Sequence, residues 1–175
     1  VRFTYVTDRV EKEKSIMYDF DRIVDRRGTS CLKYDFQVER RGRLVYKDGK
    51  YSIDFDDFEK KIVDENVKLF ILCSPHNPVG RVWTEDELRR MGEICFKHKI
   101  IVVSNEIHCD FTYEGHKHIT FPSLGEEFEK NVILCTAPSK TFNIAGLHVS
   151  NIFIPNPEIR RKFKGELEAI GFSQP

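Results

Sequence analysis

The segment LFILCSPHNPVGRVWTEDELRRMGEICFKHKIIVVSNEIHCD, residues 69 to 110, decides the fold. It begins with a short apolar run, Leu69 to Cys73, and contains a second one, Ile100 to Val103; a third, Val132 to Cys135, follows later. Unbroken apolar runs of this length are typical of strands that are covered on both faces. The pattern therefore predicts a strand, a helix and a second, parallel strand.

Helical spacing separates these runs. Thr84 and Glu87 form a capping box, and Leu88, Met91 and Cys95 mark one helical face behind it. The spacing of Phe55, Phe58 and Ile62 indicates a second helix. A third begins at Asn156 and Pro157 and ends at Gly171, and its apolar residues are Ile159, Phe163, Leu167 and Ile170. The sequence predicts an α/β domain with a mainly parallel central sheet flanked by helices.

The composition is that of a globular protein. The 175 residues are 40% hydrophobic and 32% charged, and the 28 basic residues are balanced by 28 acidic ones, which argues against a nucleic-acid groove or a membrane surface. The five cysteines are an odd number, which fits a reducing compartment. No apolar stretch approaches the roughly 20 residues of a membrane helix, and the first residues are too charged for a signal peptide. These features predict a cytoplasmic protein.

Chemically useful side chains follow each apolar run. Asn77 comes after the first, Asn105 and His108 come at the end of the second, and Lys140 comes after the third. Ligands of α/β sheets bind at the carboxyl ends of the strands, so we expect these residues to converge. A lysine beside a strand end is usually a solvated surface group, but a lysine amine held in a poorly solvated site has a lowered pKa and can act as a nucleophile, so Lys140 is a candidate for covalent chemistry.

Other interpretations of these residues exist. Glu106, His108, Cys109 and Asp110 suggest a metal site, but neighbouring residues on a strand point to opposite faces, which argues against it. The stretch from His116 to His118 is typical of a solvated loop. The cysteines are expected to lie in the core as inert thiols, and the segment SPHNPVG on its own indicates only a turn.

The segments CSPHNPVGRVW, VVSNEIHCD and TAPSKTFNIAGLHVSN resemble three successive active-site segments of the pyridoxal-phosphate (PLP) enzymes of fold type I. More narrowly, they are similar to the cystathionine β-lyases of the MalY/PatB type, which are related to class I and II aminotransferases. The resemblance implies the large-domain fold of these enzymes, PLP as the cofactor, a sulfur-containing amino acid as the substrate, and a homodimer. The implied reaction releases pyruvate, ammonia and a thiol from cystathionine or a cysteine S-conjugate, with transamination as a related reaction.

The resemblance also implies roles for individual residues. Lys140 would bind the cofactor aldehyde and remove the Cα proton of the substrate. Asn77 would donate a hydrogen bond to the ring oxygen of the cofactor, and His108 would lie beside the ring. Ser139 and Thr136 would bind the phosphate.

One residue departs from the family pattern. Asn105 stands where the family has an aspartate that pairs with the pyridine nitrogen of PLP. An amide carries no negative charge to keep that nitrogen protonated, so we expect a weaker electron sink. The departure favours an alternative, in which the chain is a non-catalytic remnant of the fold that binds or regulates a partner.

The order of segments implies a division of the chain. Residues 1–16 resemble no family segment, residues 17–36 resemble the N-terminus of the family, and residues 37–175 resemble part of the PLP-binding large domain. The resemblance implies that a glycine-containing phosphate-binding loop and the small domain are missing. We therefore expect an internally deleted and C-terminally shortened member of the family.

Overall fold

The computed structural model describes residues 3–6, 40–42, 44–64 and 67–169. Both predicted segment boundaries, at 16/17 and 36/37, lie outside these residues, as do Cys31, Ile170 and Gly171, so the predicted division of the chain stays a prediction.

A six-stranded sheet organises the described chain. Its order is β2-β1-β5-β6-β7-β8, and all neighbours are parallel except β7 and β8, which are antiparallel. A separate antiparallel hairpin is formed by β3 and β4. The strands are β1 (Phe3–Val6), β2 (Arg40–Gly42), β3 (Leu44–Lys47), β4 (Lys50–Ile53), β5 (Leu69–Cys73), β6 (Ile101–Asn105), β7 (Val132–Thr136) and β8 (Asn151–Phe153).

The sheet confirms the central prediction from the sequence. The three apolar runs are β5, β6 and β7, and they are adjacent and parallel. Residues 1–16, which were expected to resemble no family segment, contain β1, which lies between β2 and β5. This strand was not predicted, because four residues of β-forming character carry too little pattern to be assigned.

In the described part of the chain, five α-helices connect or follow the strands: α1 (Phe55–Asp64), α2 (Glu85–Lys97), α3 (Glu126–Glu129), α4 (Pro138–Thr141) and α5 (Pro157–Ala169). The predicted capping box at the start of α2 is confirmed, since the Thr84 hydroxyl accepts from Glu87 N–H and the Glu87 carboxylate accepts from Thr84 N–H. Within the described residues, the structure contains no helix of the length and apolar character that crossing a membrane requires.

The core lies on one face of the sheet. Phe70, Leu72 and Val102 are buried there, and the ring of Phe58 on α1 packs edge-on against Phe70 with centroids 4.8 Å apart. The predicted apolar face of α2 (Leu88, Met91 and Cys95) joins the same cluster.

The prediction that these strands are covered on both faces holds for one face only. The alternate residues of β5 and β6, among them Ile71 and Val103, are half-buried. The reason is that α1 and α2 contribute their buried side chains to the single cluster on the opposite face.

The helix predicted near the C-terminus is present, but its apolar face is not part of the core. α5 begins at Pro157, directly after Asn156, and none of its side chains is fully buried. Phe163 and Leu167 are half-buried, and Ile152 and Phe153 on the preceding β8 are exposed. The predicted helical pattern is therefore correct, while the packing that such a pattern normally indicates is absent from the described residues.

A close contact between α2 and the segment before β7 depends on Gly92. A Cβ atom at this position would lie 2.2 Å from Cε1 of Phe128 and 3.0 Å from Cζ of Phe121, and both rings are buried. We expect Gly92→Ala to lower the free energy of unfolding by about 1–3 kcal/mol, because overpacking forces these rings to move. Urea denaturation measures the change.

The matched control is Gly165→Ala in α5, where nothing lies within 4 Å of the added Cβ. Alanine should stabilise this helix by about 0.5–1 kcal/mol. Equal effects of the two substitutions would contradict the close packing at Gly92.

Candidate active site

Three parallel strands end at one edge of the sheet. In the register of the sheet, Asn105 at the end of β6 lies opposite Cys73 of β5 on one side and Cys135 of β7 on the other. Asn77 follows β5 by four residues, and Lys140 follows the end of β7 at Thr136 by four. The predicted convergence of the three segments at the carboxyl edge therefore rests on direct strand pairing.

The turn after β5 is held by backbone hydrogen bonds. His76 N–H donates to the carbonyl of Arg81 at 2.7 Å, and Gly80 N–H, in a residue with φ of +72°, donates to the carbonyl of His76 at 2.7 Å. The indole N–H of Trp83 donates to the carbonyl of Cys73 at 2.9 Å and so fixes the start of the turn. This arrangement leaves Asn77 exposed at the tip.

A buried carboxylate follows β6. Glu106 is 1% exposed, and its carboxylate accepts hydrogen bonds from the Ser104 hydroxyl (2.8 Å) and from the backbone N–H of Phe121 (2.8 Å). Its second oxygen lies 2.7 Å from Nε2 of His118. Glu106 therefore links the end of β6 to the segment that contains His118 and Phe121.

This contact corrects the interpretation of His116 to His118 as a solvated loop. His116 is exposed, but the side chain of His118 is only 10% exposed, because it pairs with Glu106. The sequence could have indicated that Glu106 is buried, because Val102, Ser104 and Glu106 are two residues apart and therefore lie on the same face of the strand. Within the described residues, no group of three or more His, Cys, Asp or Glu side chains could share a metal ion.

His108 and Lys140 are electrostatic neighbours. His108 is half-buried; its partial burial and the nearby ammonium of Lys140 both lower the pKa of its imidazole. The ring of Phe111 lies 6.1 Å from the ring of His108. The imidazole is therefore held in its neutral form near physiological pH.

Lys140 lies in the short helix α4. The Thr141 hydroxyl donates to Asp110 Oδ2 at 2.5 Å, so one side-chain hydrogen bond joins α4 to the segment after β6. Lys140 itself is exposed, and the poor solvation expected from its sequence neighbourhood is not found in the described chain. Its chain neighbours Thr141 and Phe142 are exposed as well.

The two predicted phosphate-binding residues lie at the end of β7 and just beyond it. Thr136 is half-buried, and its hydroxyl accepts from Asn151 Nδ2 at 3.4 Å across the antiparallel β7–β8 pair. Ser139 is half-buried in α4, and its carbonyl accepts from Ile144 N–H at 3.1 Å. Both residues are placed close to Lys140 in the chain.

Asn105 is half-buried at the end of β6. Its side-chain oxygen accepts from Ile107 N–H at 3.4 Å, and its carbonyl accepts from Ser74 N–H at 3.0 Å. The first bond orients the amide, because only the oxygen of the amide can accept a hydrogen bond from a backbone N–H.

A cleft of about 1140 Å³ opens beside these residues. It lies between the β3–β4 hairpin, the turn after β5 and the segment 108–116. Asn77 and His108 both line it. The other predicted site residues (Asn105, Thr136, Ser139 and Lys140) are not among its lining residues.

The prediction that the thiols lie in the core is correct for only one of the four described cysteines. Cys95 is fully buried, and burial raises the pKa of its thiol above the usual range. Cys73, Cys109 and Cys135 are only half-buried, although burial also raises the pKa of each. All four are free thiols. The half-buried ones lie at or beyond strand ends, where the core cluster stops.

Comparison with known proteins identifies the class. Residues 26–172 match the family model described as aminotransferase class I and II. The chain is 44% identical over 169 residues to cystathionine β-lyase PatB of Bacillus subtilis, a match that covers 97% of this chain and 42% of that protein. The chain belongs to the class I and II aminotransferase family.

Two solved structures are similar to the described fold. Cystalysin from Treponema denticola, which contains PLP, shares 46% sequence identity at a TM-score of 0.73, over 77% of this chain and 34% of that chain. The PLP-bound C–S lyase from Staphylococcus hominis shares 41% identity at a TM-score of 0.69, over 73% of this chain and 32% of that chain. The chain spans less than half the length of these relatives.

The electrostatic contact between His108 and Lys140 can be tested directly. We expect Lys140→Met to raise the pKa of His108, because the substitution removes a positive charge that disfavours the imidazolium. The pKa should stay below its ordinary value, since partial burial of the ring remains. An NMR titration of the imidazole C–H resonances, assigned with a His108→Gln variant, measures the shift.

Lys130→Met, which removes another exposed lysine, is the control and should leave the His108 titration unchanged. An unchanged pKa in Lys140→Met would show that the two side chains are not neighbours in solution.

Proposed function

We propose that this protein is a PLP-dependent carbon–sulfur β-lyase that releases pyruvate, ammonia and a thiol from cystathionine or a cysteine S-conjugate. The observation that carries the proposal is the pairing of β5, β6 and β7, which brings the segments of Asn77, Asn105 and Lys140 to one edge of the sheet. The similarity to PatB, and to C–S lyases that hold PLP, supports it. A homodimer in the cytoplasm is part of the proposal.

The residues present fit PLP by their chemistry. Lys140 supplies an exposed primary amine for an aldehyde, and the neutral imidazole of His108 supplies a flat ring beside it. Asn77 is exposed and offers an amide donor for a phenolic oxygen. The hydroxyls of Thr136 and Ser139 would serve the phosphate, and Asn105 would face the pyridine nitrogen.

The chemistry divides between cofactor and protein. When bound, PLP supplies an electron sink for the carbon from which a proton is removed. Lys140 Nζ would take the Cα proton of the substrate, after which the Cβ–S bond breaks and the sulfur leaves as a thiolate. His108 would stay neutral during this transfer, so that it does not add a second positive charge beside the ammonium of Lys140.

A second candidate function is a binding or regulatory role without catalysis. Two observations favour it: Asn105 replaces the aspartate of the family pattern, and Lys140 is exposed to solvent, which disfavours an activated amine. Transamination is the third possibility, because this family is named for that reaction.

The test of the cofactor role is covalent trapping. We expect PLP added to the purified chain to form an adduct at Lys140 that borohydride makes permanent and peptide mass spectrometry locates. Lys140→Ala should abolish it, whereas Lys130→Ala should not. An adduct together with pyruvate release from cystathionine supports the lyase, and an adduct without turnover supports the non-catalytic role. Modification spread equally over exposed lysines would contradict both the site and the lyase.

The test of Asn105 is its replacement by the family residue. Asn105→Asp should raise any pyruvate release by about tenfold or more, because each pKa unit gained at the pyridine nitrogen is worth about 1.4 kcal/mol. The free energy of unfolding should change by less than about 0.5 kcal/mol, since aspartate can still accept from Ile107 N–H. A loss of stability with no gain in rate would contradict this role.

A further inference from the structure

The cleft beside His108 has a wall of aromatic side chains from two separate elements. Tyr46 and Tyr51 come from the β3–β4 hairpin, and their rings are 4.7 Å apart. Phe111 and Tyr113 come from the segment after β6 and face the same cleft. Three of these four side chains are strongly exposed: Tyr46 by 63%, Phe111 by 54% and Tyr113 by 82%. Exposed aromatic rings gathered around one cavity favour a flat apolar ligand.

We propose that this cleft binds the thiol portion of a cysteine S-conjugate and selects aromatic over small aliphatic groups. The inference rests on the proposed lyase function and names the substrate class of that site. The aromatic wall is formed by residues other than those proposed to hold PLP. Of the proposed PLP residues, only Asn77 and His108 line the same cleft.

The cleft is continuous with the candidate active site through His108. Phe111 N–H donates to the carbonyl of His108 at 2.9 Å, and the two rings are 6.1 Å apart. A sulfur atom leaving a carbon held beside His108 would therefore carry its substituent against Phe111. Asn77 lines the same cleft.

Two charged side chains of the cleft wall, Arg81 and Asp110, make contacts within the protein. The Arg81 guanidinium binds the Glu87 carboxylate at 2.5 Å and the carbonyl of Tyr51, and it lies 4.2 Å above the ring of Trp83. Asp110 accepts the hydroxyl of Thr141. Arg81 and Asp110 are therefore poorly placed to bind a charged ligand, and the aromatic rings beside them favour an apolar group.

The first experiment needs no cofactor and no turnover. Benzyl methyl sulfide is titrated into the full chain without PLP, and binding is followed by chemical-shift changes of the aromatic side chains. We expect saturable binding that Phe111→Ala and Tyr46→Ala each weaken by about tenfold. Phe111→Leu, which keeps apolar volume but removes the ring, should weaken it to an intermediate extent. Phe96→Ala, which removes an equally exposed ring on α2 outside the cleft, should change nothing.

The second experiment measures selectivity in turnover. With PLP present, the ratio of kcat/KM for S-benzyl-L-cysteine over S-methyl-L-cysteine should fall by about tenfold in Phe111→Ala and stay unchanged in Phe96→Ala. Saturable sulfide binding without any pyruvate release would leave the cleft assignment standing and overturn the lyase. Binding that is equally strong in Phe111→Ala, Tyr46→Ala and the unmodified chain would overturn the cleft assignment, whatever the outcome for the lyase.

Discussion

The buried carboxylate of Glu106 is the contact on which the rest of the site depends. It receives hydrogen bonds from its own strand and from the N–H of Phe121, and it pairs with His118. Removing one partner of a buried hydrogen bond leaves a buried polar group unsatisfied and typically costs about 1–3 kcal/mol, so these contacts constrain the segment between β6 and β7. That segment carries His108, Asp110 and one wall of the cleft. Glu106 therefore helps to set the position of His108 and of this wall of the cleft.

Much of the fold could be predicted from short-range patterns. The capping box of Thr84 and Glu87, the spacing of Phe58 and Ile62, and the three apolar runs each depend on neighbours in sequence, and each is found. The pairing of Glu106 with His118 spans twelve residues and could not be read from either one. The half-buried face of the sheet could not be predicted either. An apolar run shows that both faces of a strand can be buried, but how far each face is buried depends on where the helices pack.

The positions of the candidate residues at the strand ends could be predicted, whereas the shape of the cleft beside them could not. The motifs place Asn77, Asn105 and Lys140 after adjacent strands, since strand ends follow from the strands themselves. The cleft includes Asn77 and His108 and excludes Lys140, because its walls come from the hairpin and from the path that the chain takes after β6. The aromatic wall gave no sequence signal, as Tyr46 and Phe111 are far apart in the chain and become neighbours of one cavity only after folding.

The antiparallel pairing of β7 and β8 limits how far the backbone of Lys140 can lie from the sheet. Thr136 and Asn151 lie opposite each other in register, so residues 137–150 form a loop that is tethered at both ends to the sheet. Four residues separate Lys140 from the nearer tether, which limits the displacement of its backbone to roughly 14 Å from the end of β7. This short connection, together with the hydrogen bond from Thr141 to Asp110, keeps the backbone of Lys140 near the carboxyl edge of the sheet.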